Sequence, residues 1–318
     1  MTRDLGTRRS DAGVRAPVWP LDHVVAALRK ESAHLESPRP RALDRQAVPS
    51  REALVGVVAD LRAALFPRHF GASDLTQQGI DYFVGHTLDG ALVALYEQVR
   101  RGLRFASGGE LSALECEARA EEVIAEFARR LPGVRALLES DICAAYEGDP
   151  AATSVDEAVF CYPGVTSIIH HRLAHQLHVL SVPLIPRMIA EISHSATGID
   201  IHPGASIGGS FFIDHGTGVV IGETCAIGER VRLYQGVTLG AKSFPLDEHG
   251  KPIKGIARHP VVEDDVVIYA GATILGRSVI GRGSSIGGNV WLTHSVPAHS
   301  RITQARAREE VFENGSGI

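Results

Sequence analysis

Residues 198–240 read GIDIHPGASIGGSFFIDHGTGVVIGETCAIGERVRLYQGVTLG, and an apolar residue returns every six positions through most of them. Ile201, Ile207 and Ile213 come first, a step of eight leads to Ile221, and Ile227, Leu233 and Leu239 follow. Beyond an interruption the same period carries Val262, Ile268, Ile274, Ile280, Ile286 and Leu292, thirteen anchors in all, every one Ile, Leu or Val. A small or β-branched residue stands two places before most of them, as at Ala205, Val219, Cys225, Val231, Val237, Val266, Ala272 and Val290. Neither strand alternation nor helical spacing produces this period. It is the repeat of a coil in which each hexapeptide forms one short side of a triangle. Each anchor points inward onto the anchors of the coils above and below, so stacked coils share a core that no single repeat could bury. At three sides per coil, thirteen sides make between four and five coils.

Two stretches break the period, and a regular prism needs neither. One is the eight-residue step from Ile213 to Ile221, which contains Asp214-His215-Gly216-Thr217-Gly218; the other lies between Leu239 and Val262 and includes LDEHGKPIKGIARHP. Irregular backbone on a rigid scaffold is where binding residues gather. Asp200 and His215 lie nearly one coil apart in sequence and are expected to meet at one corner. A histidine with a carboxylate on its far nitrogen has the makings of a general base, and an alcohol acceptor needs one because a neutral hydroxyl is a weak nucleophile. Taken alone, the pair reads more readily as a satisfied histidine or an Asx turn than as a base. His202, His215 and His259 also permit a metal site, but Arg258 beside His259 would repel a cation, so no metal is expected.

The rest of the chain has another character. Residues 1–197 hold 13 of the 33 glycines and residues 198–318 the other 20. The front reads as helical, with apolar residues at three- and four-residue spacing over Leu21–Glu36, Arg51–Leu65 and Gly109–Leu131. The third segment is expected to stop at Pro132-Gly133. Ser154-Val155-Asp156-Glu157 has the spacing of a capping box, and Ile169, Leu173, Leu177 and Leu180 line one face of a further helix. Residues 1–20 and 37–49, rich in Arg and Pro, are expected to be mobile arms or linkers. The expected organisation is α+β: an all-α region over 1–197, a parallel β-helix over 198–300 and a flexible tail over 301–318.

Composition excludes several classes. With 32 basic and 37 acidic side chains in 318 residues, a balance of −5, the chain lacks the basic excess of a nucleic-acid binder. No apolar run is long enough to span a membrane, and the first residues have no signal-peptide core. Four scattered cysteines (Cys116, Cys143, Cys161, Cys225) without a CxxC pair read as buried thiols in a reducing compartment, and the protein as cytoplasmic.

The DIHP, DHGTGVVIGET and RHP motifs, within a match over residues ~140–297, resemble the serine O-acetyltransferase family of hexapeptide-repeat acyltransferases. The resemblance implies a left-handed β-helix assembled as a homotrimer, with the helical regions joining two trimers. It implies acetyl transfer from acetyl-CoA to the L-serine hydroxyl, with His215 as catalytic base and Asp200 as its orienting partner. Asp149 and Asp214 would hold the serine ammonium, and Arg258 and His259 its carboxylate. Backbone around Gly240, Ala241, Ala270 and Gly271 would contact the coenzyme arm, with N–H groups near Gly240-Ala241 facing the oxyanion. The tail ending at Ile318 resembles the family segment that enters cysteine synthase, its terminal carboxylate imitating that of a substrate, and cysteine is the expected feedback inhibitor. The loop between Gly240 and Arg258 looks longer than the family's. The usual glycine-proline segment after Pro297 is replaced by a stretch containing Arg301, Arg306 and Arg308, which reads either as coenzyme-phosphate contacts or as a solvated end. Two other readings remain open at this level: a different acceptor such as homoserine, and a regulatory scaffold for cysteine synthase with little activity.

Overall fold

The computed structural model describes residues 21–31, 48–72 and 75–304. The expected N-terminal arm, most of the 37–49 linker, Arg306, Arg308 and the tail with Ile318 lie outside the described residues. One helix, α1 (Leu21–Glu31), stands in a separate unit and is described by itself.

The main unit starts with α2 (Arg51–Leu65), α3 (Pro67–Phe70), α4 (Gln77–Ser107) and α5 (Ala113–Gly148). Helices α6 (Val155–Cys161), α7 (Pro163–Val179) and α8 (Ile185–Thr197) lead into the strands. Capping accounts for several starts: Ser50, Thr76, Ser112 and Ser154 each accept a hydrogen bond from the backbone N–H three residues on. At Ser112 the box is reciprocal with Glu115. At Ser154 it is half made, because Glu157 turns its carboxylate to the Thr153 backbone N–H at 2.7 Å instead.

Helix α5 corrects the expected stop at Pro132, which the helix runs straight through. Proline inside a helix costs about 3 kcal/mol. The buried row Cys116, Ala120, Val123, Phe127, Leu131, Val134, Leu138, Ile142 and Ala145 continues at three- and four-residue steps on both sides of it. Burying the three large side chains beyond the proline, Val134, Leu138 and Ile142, outweighs that cost at about 1.5–3 kcal/mol each. The helix also begins at Ala113 rather than Gly109, because Gly108 and Gly109 both take left-handed backbone.

From Asp200 the chain winds as a left-handed parallel β-helix of very short strands. In chain order these are β1 (Asp200–Ile201), β2 (Ser206–Ile207), β3 (Phe212–Ile213), β4 (Val220–Ile221), β5 (Ala226–Ile227), β6 (Arg232–Leu233) and β7 (Thr238–Gly240). After the long loop come β8 (Val261–Val262), β9 (Val267–Ile268), β10 (Thr273–Leu275), β11 (Val279–Ile280), β12 (Ser285–Ile286), β13 (Trp291–Leu292) and β14 (Arg301–Ile302). They form three parallel sheets: β1-β4-β7-β10-β13, β2-β5-β8-β11 and β3-β6-β9-β12-β14, called here the first, second and third. Every anchor read from the hexapeptide period lies in a strand and is at most 8% exposed. The preceding small residues, among them Ala205, Val231 and Ala272, are buried beside them. The prism continues to β14, two residues past position 300, where Ile302 pairs with Ile286.

A buried ion pair ties helices to prism. Arg172 of α7 donates to both oxygens of Asp141 of α5 at 2.6 and 2.9 Å, and to the carbonyls of Ile207 and Gly208 at 3.0 and 2.7 Å. Asp141 also accepts from the Phe211 N–H at 2.8 Å, so every charge in this contact is satisfied. The apolar core runs without a break from α2 to the last coil.

Candidate active site

The residues singled out from the sequence fall on two corners of the triangular prism, one on each side of the first sheet. The corner from the third sheet to the first carries Asp214 and His215, between β3 and β4. Here His215 (φ 56°) and Gly216 (φ 86°) both take left-handed backbone. Gly216 lies against the Ile199 side chain, where a Cβ would fall 2.4 Å from Cδ1, so only glycine fits. The tight turn throws the His215 ring out of the wall, leaving it 72% exposed beside an Asp214 carboxylate that is only 17% exposed. A histidine in left-handed backbone is uncommon and stores local strain, a feature that gathers at functional sites.

Asp149 reaches the same corner from the end of α5, which it caps. Its carboxylate accepts from the Ala151 N–H at 2.8 Å and from the Tyr162 hydroxyl at 2.5 Å. The Tyr162 hydrogen bond, then the backbone one, hold the Asp149 carboxyl below the usual carboxylate range, and the field of His215 adds to this. The same bond drives the Tyr162 phenol far above its ordinary value, so it stays a proton donor. Asp214 also lies within electrostatic range of Tyr162. Asp149, Asp214 and His215 thus converge.

Asp200 is placed differently from the expectation of a direct pair. It opens β1 and stands in the outward row Asp200, Val220, Thr238, Thr273 and Trp291 of the first sheet. Among the described residues it makes no hydrogen bond or ion pair with His215. The carboxylate near the ring is that of Asp214, 3.9 Å from Nε2, which is too long for a hydrogen bond.

A cleft of about 710 Å³ climbs the corner from His215 past Tyr234, Tyr269, Ala270 and Asn289 to Arg301. The Tyr234 and Tyr269 rings stack in it, with centroids 5.3 Å apart and planes 11° from parallel. Gly271 follows Ala270 on this corner and donates its N–H to Gln235. Gly240, which ends β7, and Ala241, which follows it, were expected along the same arm but lead into the other corner, from the first sheet to the second. The first sheet lies between the two pairs within one chain.

That other corner also holds Arg258 and His259, where the long loop returns to β8. Arg258 pairs with Glu223 at 3.0 Å. Its backbone N–H and that of His259 both donate to the Thr224 hydroxyl, at 3.0 and 3.2 Å. The His259 ring is 7% exposed, and burial together with neighbouring Arg258 lowers its pKa, so it is neutral near pH 7. His202 lies on the same side, its pKa lowered to about 4 chiefly by burial. His215 sits on the opposite corner, so the three histidines do not come together within one chain.

Sequence reasoning missed Tyr162, Glu223 and Thr224. The last two lie inside the DHGTGVVIGET motif, whose polar pair after Gly222 was the available signal. Tyr162 had none, because its partner Asp149 reaches it only through the fold.

Prism and corner cleft together define a hexapeptide-repeat transferase. Residues 259–294 match the family described as bacterial transferase hexapeptide (six repeats). The chain is 57% identical over 317 residues to the plasmid serine acetyltransferase of Synechococcus elongatus, covering 98% of each protein. It is 49% identical over 160 residues to that of Mycobacterium tuberculosis, covering 50% of this chain and 66% of that one. Among solved structures, serine acetyltransferase isoform 3 of Entamoeba histolytica in complex with cysteine superposes with a TM-score of 0.70 at 32% identity, over 92% of this chain and 94% of that one. The soybean enzyme complexed with serine superposes with a TM-score of 0.51 at 27% identity, over 80% and 96%. This protein belongs to the serine acetyltransferase family.

Proposed function

We infer that the chain transfers the acetyl group of acetyl-CoA to the hydroxyl of L-serine, giving O-acetylserine for cysteine biosynthesis, at a site shared between neighbouring copies. The observation that carries the shared site is the division of both half-sites in the same sense. Asp149, Asp214, His215, Ala270 and Gly271 lie on one corner, and Gly240, Ala241, Arg258 and His259 on the other. Both corners flank the first sheet. Three copies with this sheet turned toward a common axis bring the first corner of each against the second corner of the next, which closes the ring. The exposed Trp291 (70%) and Val220 (38%) on that sheet gain cover in such a trimer. Pairing of two trimers through the helical regions is part of the proposal.

The chemistry follows from the groups on each corner. Asp149 and Asp214 receive the serine ammonium. Arg258 and His259 of the neighbouring copy receive its carboxylate through charge-assisted hydrogen bonds. His215 removes the hydroxyl proton as the serine oxygen attacks the thioester carbon, and the resulting oxyanion faces backbone N–H groups near Gly240-Ala241. The intermediate then expels the coenzyme thiolate, which takes the proton back from His215. The high exposure of the His215 ring leaves it free to turn toward Asp200, the proposed orienting carboxylate. The coenzyme arm occupies the cleft above His215.

L-cysteine is proposed to compete for the serine site, a reading supported by the cysteine complex of the Entamoeba protein. The tail to Ile318 is proposed to dock in cysteine synthase. Cys116 and Cys225 are buried as expected, whereas Cys143 and Cys161 are exposed on the helices; all four are free thiols, and a reducing setting such as the cytoplasm is proposed on them. No helix among the described residues is long and apolar enough to cross a membrane. The test is thiol release from acetyl-CoA with L-serine or L-homoserine, using wild type and His215→Ala. Serine-dependent release lost in the variant supports the reading. Release with homoserine alone overturns the substrate, and no release with either overturns the enzyme in favour of a scaffold.

A further inference from the structure

Thr224 makes more contacts with the Arg258-His259 pair than a corner residue needs. Its hydroxyl oxygen accepts the N–H groups of both residues. Its own backbone N–H reaches His259 Nδ1 at 3.0 Å, and its hydroxyl lies 2.8 Å from the same atom. A backbone N–H only donates, so Nδ1 is an acceptor and the neutral ring carries its proton on Nε2. The hydroxyl, with its lone pairs taken by two N–H groups, turns its own proton to Nδ1 as well. Among the described residues Nε2 makes no hydrogen bond.

Two neighbours lock this arrangement. The ring lies flat against Gly222, where a Cβ would fall 2.1 Å from His259 Cδ2. Arg277 donates to the carbonyls of Thr224 and His259 at 2.7 and 3.0 Å, fixing both backbones together.

We propose that Thr224 is the positioning residue of the carboxylate subsite: it presents His259 as the Nε2–H tautomer, a neutral donor set beside the Arg258 guanidinium, shaped for the planar carboxylate of an amino-acid acceptor. The proposal rests on the reading that Arg258 and His259 hold the serine carboxylate. A neutral donor next to a cation binds a carboxylate without adding like-charge repulsion to Arg258, which a protonated ring would do.

The test uses the full-length enzyme with Thr224→Val, Thr224→Ser, His259→Gln and His259→Asn. For each, kcat, KM for L-serine, KM for acetyl-CoA and direct calorimetric binding of L-serine are measured. Thr224→Val is expected to raise KM and Kd for L-serine about tenfold, with kcat and KM for acetyl-CoA within about threefold, and Thr224→Ser to restore them. The glutamine amide N–H reaches the place of Nε2 and that of asparagine does not. His259→Gln should therefore keep more serine affinity than His259→Asn.

Equal serine affinity in wild type and Thr224→Val overturns the role of Thr224, and asparagine equal to or better than glutamine overturns the tautomer. If Thr224→Val fails to fold, the glutamine–asparagine comparison decides the tautomer and Thr224→Ala against Thr224→Ser decides the hydroxyl. A wild-type enzyme that does not bind L-serine at all defeats the underlying assignment of the subsite, a result separate from either of these.

Discussion

Two impaired variants should together make a more active enzyme if the site is shared between copies. His215→Ala removes the base from one corner, and loss of general-base assistance is worth about 10²–10⁴ in rate. Arg258→Ala removes the carboxylate partner from the other corner. A charge-assisted hydrogen bond of about 1.5–3 kcal/mol corresponds to about 10–150-fold in kcat/KM for serine. In a trimer each site takes its His215 half from one copy and its Arg258 half from the next. Going round any ring that contains both variants, one junction of the three joins an intact His215 to an intact Arg258, whichever variant is in the majority. Mixed trimers should thus recover about one third of wild-type activity per trimer. The two chains are co-expressed with different affinity tags, purified through both in series, and assayed for thiol release at low serine. A site contained in one chain can never be rebuilt this way. Tandem-purified trimers with only the activity of the two parents would refute the division of the site between corners.

Three further outcomes follow from the geometry. Arg172→Leu strands the buried Asp141 carboxylate and frees two prism carbonyls, so the urea midpoint should fall by an amount equivalent to about 3–5 kcal/mol; an unchanged midpoint at equal protein concentration would mean the clamp is not needed. Tyr162→Phe removes the main cause of the lowered Asp149 pKa. The acid limb of kcat/KM for serine should move to higher pH while KM for acetyl-CoA stays put, and an unmoved limb would sever Asp149 from serine binding. The buried His171 ring and the half-buried His175 and His202 rings all have pKa values lowered chiefly by desolvation, His202 to about 4. Below about pH 6.5 the unfolded chain therefore binds protons that the folded chain refuses. Stability, full above that pH, should decline as pH falls toward 4, which thermal melts in a pH series would check; a melting temperature level from pH 7 to 4 would contradict it.

The sequence carried the prism almost completely, because a strict six-residue period is a local property. Each anchor, from Ile201 to Leu292, is buried by the coil directly above or below it, and no distant element is needed to say which way it points. Helix α5 was less legible. Pro132 is a strong local stop signal, and what overrides it is the apolar row from Val134 to Ala145 packed against other elements. Local preference and tertiary burial disagreed there, and burial won. Likewise Ser154 was legible as a cap, while the partner chosen by Glu157 was not.

For the site, the motifs alone supply the cast: His215 in the long step, Arg258 and His259 at the loop's return, Asp149 before the final helices. Their types and motifs identify an acyl-transfer family whatever the coordinates. Only the tertiary structure decided who stands with whom. It joined Asp149 to Tyr162, and hung Arg258 and His259 on Thr224. It set Asp200 in the outward row of the first sheet, without a hydrogen bond to the His215 ring. It also put Gly240 and Ala241 on a different corner from Ala270 and Gly271. The reason is geometric: residues close in sequence turn successive corners of a triangle, whereas residues a whole coil apart stack on the same one.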